Sequence, residues 1–459
     1  MIEISPHSHV HIPTFLLEKE GSLNLLIHPE RPIWMVVNDV GLEIMKLGQE
    51  ELTLSEICKI VSSRYGVGIE KIEQDAFNFV RELDNAGFLG DPEAPNYRPY
   101  LKSLFLHLTY RCNLACKHCY VGGSNDNGAE MGIDTIFSLI DQFVSQGGEA
   151  ITISGGEPLF KKDIKEILSY AAKRLTITVL TNGTLINRSL ADFMVGLGIK
   201  IQVSLDGSNT SIHDSIRGKG SFARAMEGIR LLKKSGIGGK LNLCTTIMKD
   251  NIGDVPRVIE LADKVGIEYV RFLPLRRIGR ARELWYEINA DVGTEDYERL
   301  YEYILFQAMR EYPSLEISSG LSGFVLSAPK GEPSGTWCPI GKNLVITASG
   351  DCYPCVLFMS DKYHLGNVRE ATLLQIWKSP ILEELVDSLG QRRSVIERCE
   401  GCSWRSLCQG GCMGTANEWK GTIWDTDRFC AFRKKLYRKT IFELASQKSS
   451  IIAKSEDCF

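Results

Sequence analysis

The chain has no run of about 18 consecutive apolar residues, the length a membrane span requires. Its opening segment, MIEISPHSHVHIPTFLLEKEG, lacks the basic stretch and apolar run of a secretory signal, so a cytoplasmic location is expected. Neither sign of charge is in excess: 53 Lys and Arg face 57 Asp and Glu, a net charge of −4. That balance gives no footprint for nucleic acid or an anionic membrane, and neither is expected as a partner. Internal repeats and low-complexity tracts are also missing, and 44% hydrophobic with 24% charged residues is ordinary globular composition. Disorder, collagen and coiled coil are thereby excluded as the main architecture. Cysteine is scarce at first, with Cys58 alone before residue 110, yet the 459-residue chain holds 14 of them. In a reducing compartment such cysteines serve metal binding or catalysis more often than disulfides.

At ~150 residues per domain the length suggests about three domains, and the pattern divides accordingly. Residues 1–95 read as a small α/β unit: SLNLLIHP and RPIWMVVN are strand-like, and three helical patterns follow. Asn38 or Asp39 is placed to cap the first helix, and Thr53 with Glu56 forms a capping box for the second. A proline-rich linker, DPEAPNYRP, comes next. Residues 103–312 alternate strand and helix through six βα units, which implies a parallel sheet with right-handed crossovers. About 210 residues suit a partial barrel better than a closed eightfold one. Residues 313–336 are rich in Gly, Ser and Pro and read as a connection. Residues 337–437 are short-patterned and punctuated by cysteine, and residues 438–459 read as a helix and tail.

Cys112, Cys116 and Cys119 form a Cx3Cx2C cluster directly after the first barrel strand, in LTYRCNLACKHCY. Three thiolates on one loop suit three corners of a 4Fe–4S cubane and leave the fourth iron for a non-protein ligand. Zinc is the rival reading, but a structural zinc site spends four protein ligands. Followed by Tyr120, this cluster resembles that of radical S-adenosylmethionine (SAM) enzymes. Three further segments fit: Gly155-Gly156-Glu157-Pro158 after the second strand, Ser204 and Asp206 in VSLDG after the fourth, and Arg217 in HDSIRGKGSF. The resemblance implies that the GGEP segment binds the SAM amino group, Ser204 and Asp206 its ribose and methionine parts, and Arg217 its carboxylate. Thr181 and Asn182 end the third strand on the same rim. The implied reaction is reductive cleavage of SAM to methionine and a 5′-deoxyadenosyl radical, with an external reductant such as flavodoxin or ferredoxin.

The later cysteines run Cys338-x11-Gly350-x4-Cys355, then Cys399-x2-Cys402-x5-Cys408-x3-Cys412, then Cys430. This matches the seven-cysteine pattern of SPASM domains. The resemblance implies two auxiliary 4Fe–4S clusters, three in all: Cys338, Cys355 and Cys412 on the nearer, Cys399, Cys402, Cys408 and Cys430 on the outer. Cys352 exceeds the seven. Two residues separate it from Cys355, and it is expected to close the nearer cluster. Cys58 and Cys244 read as core residues and Cys458 as a tail residue without a role. Trp404 and Trp419 read as packing.

The N-terminal order of strands and helices resembles a PqqD-like domain, a recognition element for ribosomally made, post-translationally modified peptides. It implies a precursor peptide whose leader adds a strand near Trp34–Asn38, beside Phe77, Phe79 and Val80 of the third helix. A winged-helix-like stabilising unit is the plainer reading. Together the expectation is an α/β enzyme: a partial (βα)6 radical SAM barrel between a winged-helix-like, PqqD-like domain and a SPASM domain. The layout resembles subtilosin-type maturases, which implies Cys thioether formation on a precursor peptide. The alternatives are a carbon–carbon crosslink, epimerisation, sulfatase-type oxidation, a haem-like small molecule, or a non-catalytic electron-transfer protein.

Overall fold

WMVV is an unbroken apolar run and LNLLI is interrupted only by the buried Asn24, because both faces of these strands are covered. In the computed structural model, which describes residues 5–89, 99–122, 129–288, 291–319 and 338–446, β1 (Leu16–Glu20), β2 (Leu23–Ile27) and β3 (Trp34–Val37) form an antiparallel sheet in that order. Leu26, Met35 and Val37 pack against α1 (Asp39–Leu47), α2 (Leu54–Tyr65) and α3 (Ile69–Asn85), meeting Ile57, Cys58, Val61, Ile72 and Val80. The alternate residues Leu25, Ile27, Trp34 and Val36 pack instead with Trp404, Leu407, Tyr437, Ile441 and Phe442. Each large apolar side chain so buried contributes roughly 1.5–3 kcal/mol, so the small domain is fastened to the cysteine-rich one. Asn38, not Asp39, caps α1 by accepting from the Gly41 N–H, and Thr53 with Glu56 closes a capping box on α2. Two expectations change here. The sheet has three strands rather than two, and Val80 is a core residue, 1% exposed, that presents no face to a peptide.

Six parallel strands follow in chain order: β4 (Ser103–Thr109), β5 (Ala150–Gly155), β6 (Thr176–Thr181), β7 (Lys200–Ser204), β8 (Leu241–Ile247) and β9 (Tyr269–Pro274). The helices α4 (Ile133–Ser145), α5 (Ile164–Ala172), α6 (Arg188–Gly196), α7 (Thr210–Arg217), α8 (Ser221–Lys234) and α9 (Val255–Val265) connect them. β10 (Glu316–Ser319) extends the sheet, parallel to β9, inside what the composition suggested was a connection. The rest of that segment lies outside the described residues, as do most of the proline-rich linker and the tail with Cys458.

On its other edge, β4 pairs in parallel with β11 (Asn343–Ile346) of the cysteine-rich segment. β12 (Asp351–Tyr353) and β13 (Gly366–Asn367) continue antiparallel, giving a sheet of ten described strands. The two domains thus share one hydrogen-bonded sheet. The C-terminal helix spans Cys430–Ser446, so the boundary expected at 437/438 falls inside it. Among the described residues no helix is long and apolar enough to cross a membrane.

Candidate active site

Parallel strands direct their C-terminal loops to one rim, and the Cx3Cx2C loop leaves β4 there. Several elements hold it. The Asn182 side chain, after β6, reaches the Cys112 sulfur at 3.9 Å and Asn113 at 2.9 Å. Arg217, ending α7, lies 3.9 Å from the Cys116 sulfur. Arg280, beyond β9, donates to the Cys116 carbonyl at 2.8 Å through its side chain and to the Cys119 carbonyl at 2.9 Å through its backbone. Gly279 makes that approach possible: its φ is +54°, and a Cβ there would stand 2.2 Å from the Tyr120 carbonyl. Sequence reading missed Gly279 and Arg280, although the basic run RRIGRAR at a strand end carried the signal.

The GGEP segment lies beneath the same loop. A Cβ on Gly155 would come 2.2 Å from the Thr109 carbonyl, and one on Gly156 would come 2.4 Å from that of Arg111. Only glycine lets the two strand ends approach so closely. Glu157 is fully buried, and its oxygens accept from Thr181 Oγ1 (2.8 Å), Asn182 N (2.7 Å) and Leu159 N (3.1 Å). Burial nevertheless pushes its carboxyl up to about 7. A cation brought against it would restore the charge.

Asp206 sits at 0% exposure. Its Oδ2 takes Arg217 Nε at 2.5 Å and His118 Nε2 at 2.7 Å, and its Oδ1 takes the Thr246 N–H at 2.8 Å. Burial opposes its ionisation, but the Arg217 guanidinium and then His118 hold it well below the usual carboxylate range. The stability it contributes is therefore present at neutral pH and is lost only as pH falls toward that depressed value. Both of its oxygens are taken by protein donors, so the structure makes it an anchor for Arg217 and His118. Ser204 is half-buried on the same rim, and the Tyr120 hydroxyl points inward to His107 (3.0 Å) and Ser154 (3.3 Å). Asp206→Asn leaves Arg217 buried without its counter-charge. The expected loss is about 3–5 kcal/mol, read as a lower denaturant midpoint under anaerobic conditions; an unchanged midpoint would refute the anchoring role.

The thiols fall into three groups. Cys112, Cys116 and Cys119 lie within one another's electrostatic reach; burial first, then Glu157, then these neighbours push the Cys112 thiol up to about 11. Cys338 and Cys355 couple to Cys412, and Cys399 couples to Cys402, Cys408 and Cys430. Among the described residues no three His, Cys, Asp or Glu side chains converge closely enough to hold a single metal ion. All-thiol sets facing one another at wider spacing fit iron–sulfur clusters, whose corners are ligated separately.

Cys352 is the residue expected to close the nearer auxiliary cluster. It sits in β12 at 0% exposure, paired with Ile346 and Gly366, and its thiol lies 3.6 Å from the Gly350 carbonyl. Its charged neighbour is Asp351, not another cysteine. The strand sends it into the apolar core, whereas Cys355 comes after the strand has ended. Cys352→Ala is expected to leave the iron content per chain at the wild-type level while costing about 1 kcal/mol of packing. A drop in iron would restore it as a ligand.

Residues 106–262 match the model of the radical SAM superfamily, residues 338–403 that of an iron–sulfur cluster-binding (SPASM) domain, and residues 24–89 that of coenzyme PQQ synthesis protein D (PqqD). The chain is 30% identical to Fe-coproporphyrin III synthase of Methanosarcina barkeri over 356 residues, 72% of this chain and 87% of that one. It is 28% identical to the antilisterial bacteriocin subtilosin biosynthesis protein AlbA of Bacillus subtilis, over 66% of this chain and 65% of that one. The crystal structure of Streptococcus suis SuiB bound to S-adenosylmethionine shares the fold, with a TM-score of 0.60 at 17% identity over 91% of this chain and 98% of that one.

Proposed function

The chain belongs to the radical SAM superfamily, and from that membership we propose that it is a maturase of a ribosomally synthesised peptide, forming Cys thioether crosslinks. The observation that carries the peptide reading is the outer edge of β3. It ends the sheet of a PqqD-like domain, and no described strand covers it. A leader added there would lie on a domain packed directly against the cluster domain. Phe77 and Phe79, half-buried on α3, are the side chains left to flank it.

When bound, SAM and a 4Fe–4S cluster on Cys112, Cys116 and Cys119 supply a 5′-deoxyadenosyl radical. The chain's own residues do the rest. The Gly155–Glu157 segment receives the SAM ammonium, which returns Glu157 to its charged form. Arg217 spends Nε on Asp206 and keeps Nη1 and Nη2, beside Cys116 and His118, for the SAM carboxylate. Ser204 takes the ribose, and Thr181 and Asn182 fix Glu157. The Gly279–Arg280 clamp holds the cysteine loop still. Cys338, Cys355 and Cys412 would hold one auxiliary cluster and Cys399, Cys402, Cys408 and Cys430 a second, with flavodoxin or ferredoxin as the reductant. Thioether formation balances as one substrate hydrogen atom lost to the radical, one proton lost from the Cys thiol and one electron removed, and the auxiliary clusters, when bound, would supply the acceptor for that electron.

The test is anaerobic incubation of reconstituted, reduced enzyme with the Cys-containing precursor encoded nearest to it, followed by mass spectrometry. Each thioether lowers the peptide mass by two hydrogens and removes one thiol from alkylation. An unchanged mass alongside full SAM cleavage would sink the peptide reading. The Fe-coproporphyrin III synthase relative favours a second reading, a tetrapyrrole substrate. In that case an iron porphyrin, rather than the peptide, would be altered in the parallel reaction.

A further inference from the structure

The two largest fully buried side chains among the described residues are both arginines of the cysteine-rich domain, Arg392 and Arg433. Arg392, on the helix Pro380–Val395, gives its guanidinium entirely to backbone carbonyls: Ile423 (2.7 Å), Gly411 (2.6 Å), Asp425 (2.8 Å) and Gly410 (3.2 Å). None of its described partners is a carboxylate. Arg433, on the C-terminal helix, donates to Asp427 at 2.6 Å and reaches the Cys408 sulfur at 3.4 Å. The same Asp427 oxygen accepts the Cys412 N–H at 2.8 Å.

Between the arginines runs the strap Gln409-Gly410-Gly411, which joins Cys408 to Cys412. All three residues have positive φ, +51°, +77° and +76°, and Gln409 is the sole non-glycine among the described residues to do so. A Cβ on Gly411 would stand 2.6 Å from Asp427 Oδ2 and 2.7 Å from Arg433 Nη1, and one on Gly410 3.4 Å from Arg392 Nη2. The strap is gripped from both sides. Among the described residues Asp427 pairs with Arg433, whereas the carbonyl oxygens that take the Arg392 guanidinium bring no formal charge to match its own. An uncompensated buried cation is costly, so an anion belongs here, and the neighbouring groups are cluster cysteines.

We propose that Arg392 and Arg433 are the counter-cations of the two auxiliary clusters, fixing the Cys408–Cys412 strap and raising both reduction potentials so that the clusters accept the electron released on product formation. Positive charge and hydrogen bonds at cluster sulfurs act in that direction. Both are positioning residues, and the inference rests on the two-cluster reading above.

The test uses the full chain with Cys112, Cys116 and Cys119 all changed to Ala, so that only auxiliary clusters contribute. Iron and sulfide are counted, and reduction is followed by EPR-monitored potentiometry. A parent holding less iron than two four-iron clusters removes the two-cluster premise before any arginine is changed. With that iron in place, Arg433→Gln is expected to shift one cluster signal to lower potential, and Arg392→Gln both. Unmoved potentials at full iron content overturn the proposal. If a Gln variant loses iron, the matching Lys variant decides. Iron retained near the wild-type potential upholds the counter-cation role; iron lost alike overturns it in favour of a purely structural fork.

Discussion

Changing Cys112, Cys116 or Cys119 to Ala is expected to abolish formation of 5′-deoxyadenosine from SAM, because a cubane corner is lost and the exchangeable iron with it. The loop contributes no spare thiol; Asn182 and Arg217 are nitrogen donors beside its sulfurs, and Arg280 holds its backbone carbonyls, so none replaces a lost ligand. Activity should fall at least a hundredfold, on the order of 3 kcal/mol or more in barrier terms. Cys58→Ala is the matched control, since that thiol lies in the N-terminal core at 1% exposure. A triple variant that still releases 5′-deoxyadenosine after anaerobic reduction would show that the radical site lies elsewhere.

Val36→Pro is expected to lower peptide modification at least about tenfold while SAM cleavage without peptide continues at the wild-type rate. The His28 N–H bonds the Ile33 carbonyl at 2.9 Å, which makes 28 and 33 a hydrogen-bonded pair. Such pairs alternate along an antiparallel ladder, and the register matches Leu26 with Met35 and Leu25 with Val36. Met35 and Val37 therefore bond inward to β2, and the Val36 N–H points to the open edge. Proline removes that donor without breaking the ladder, and Val36→Ala, which keeps the N–H, separates the donor from the packing. Equal turnover by the proline and alanine variants would refute leader docking on this edge. Deleting residues 1–95 is a poorer test, because it strips the apolar cover from Trp404, Tyr437, Ile441 and Phe442.

The six barrel strands were legible because parallel strands buried on both faces read as continuous apolar runs between amphipathic helices. The Cx3Cx2C spacing and GGEP were legible because each falls at a strand end. Other features depend on contacts far away in sequence. β1 reads LLEKE, with one half-exposed face, and is specified by pairing with β2 more than by its own residues. β10 is four residues, EISS, in a polar stretch and forms against β9. Cx2C spacing suggests a shared metal for Cys352, while period-two alternation in β12 decides which way its buried thiol points. The anchoring of Arg217 by Asp206 was likewise hidden, since VSLDG shows the carboxylate but not the helix end it meets.

The pairing of β4 with β11 also sets a clock on biosynthesis. Ser103 and its partner Asn343 are 240 residues apart in the chain. At roughly 5–20 residues per second of translation, one edge of the first barrel strand waits on the order of 10–50 s for its neighbour to be made. During that interval a hydrophobic strand with the first cysteine triad at its tip stands with that edge open beside the ribosome. An exposed edge of that kind invites pairing with other chains, and its thiols are open to oxidation before any iron is delivered. Yield of active enzyme should therefore respond to chaperone supply and oxygen during expression more than to the stability of the finished fold.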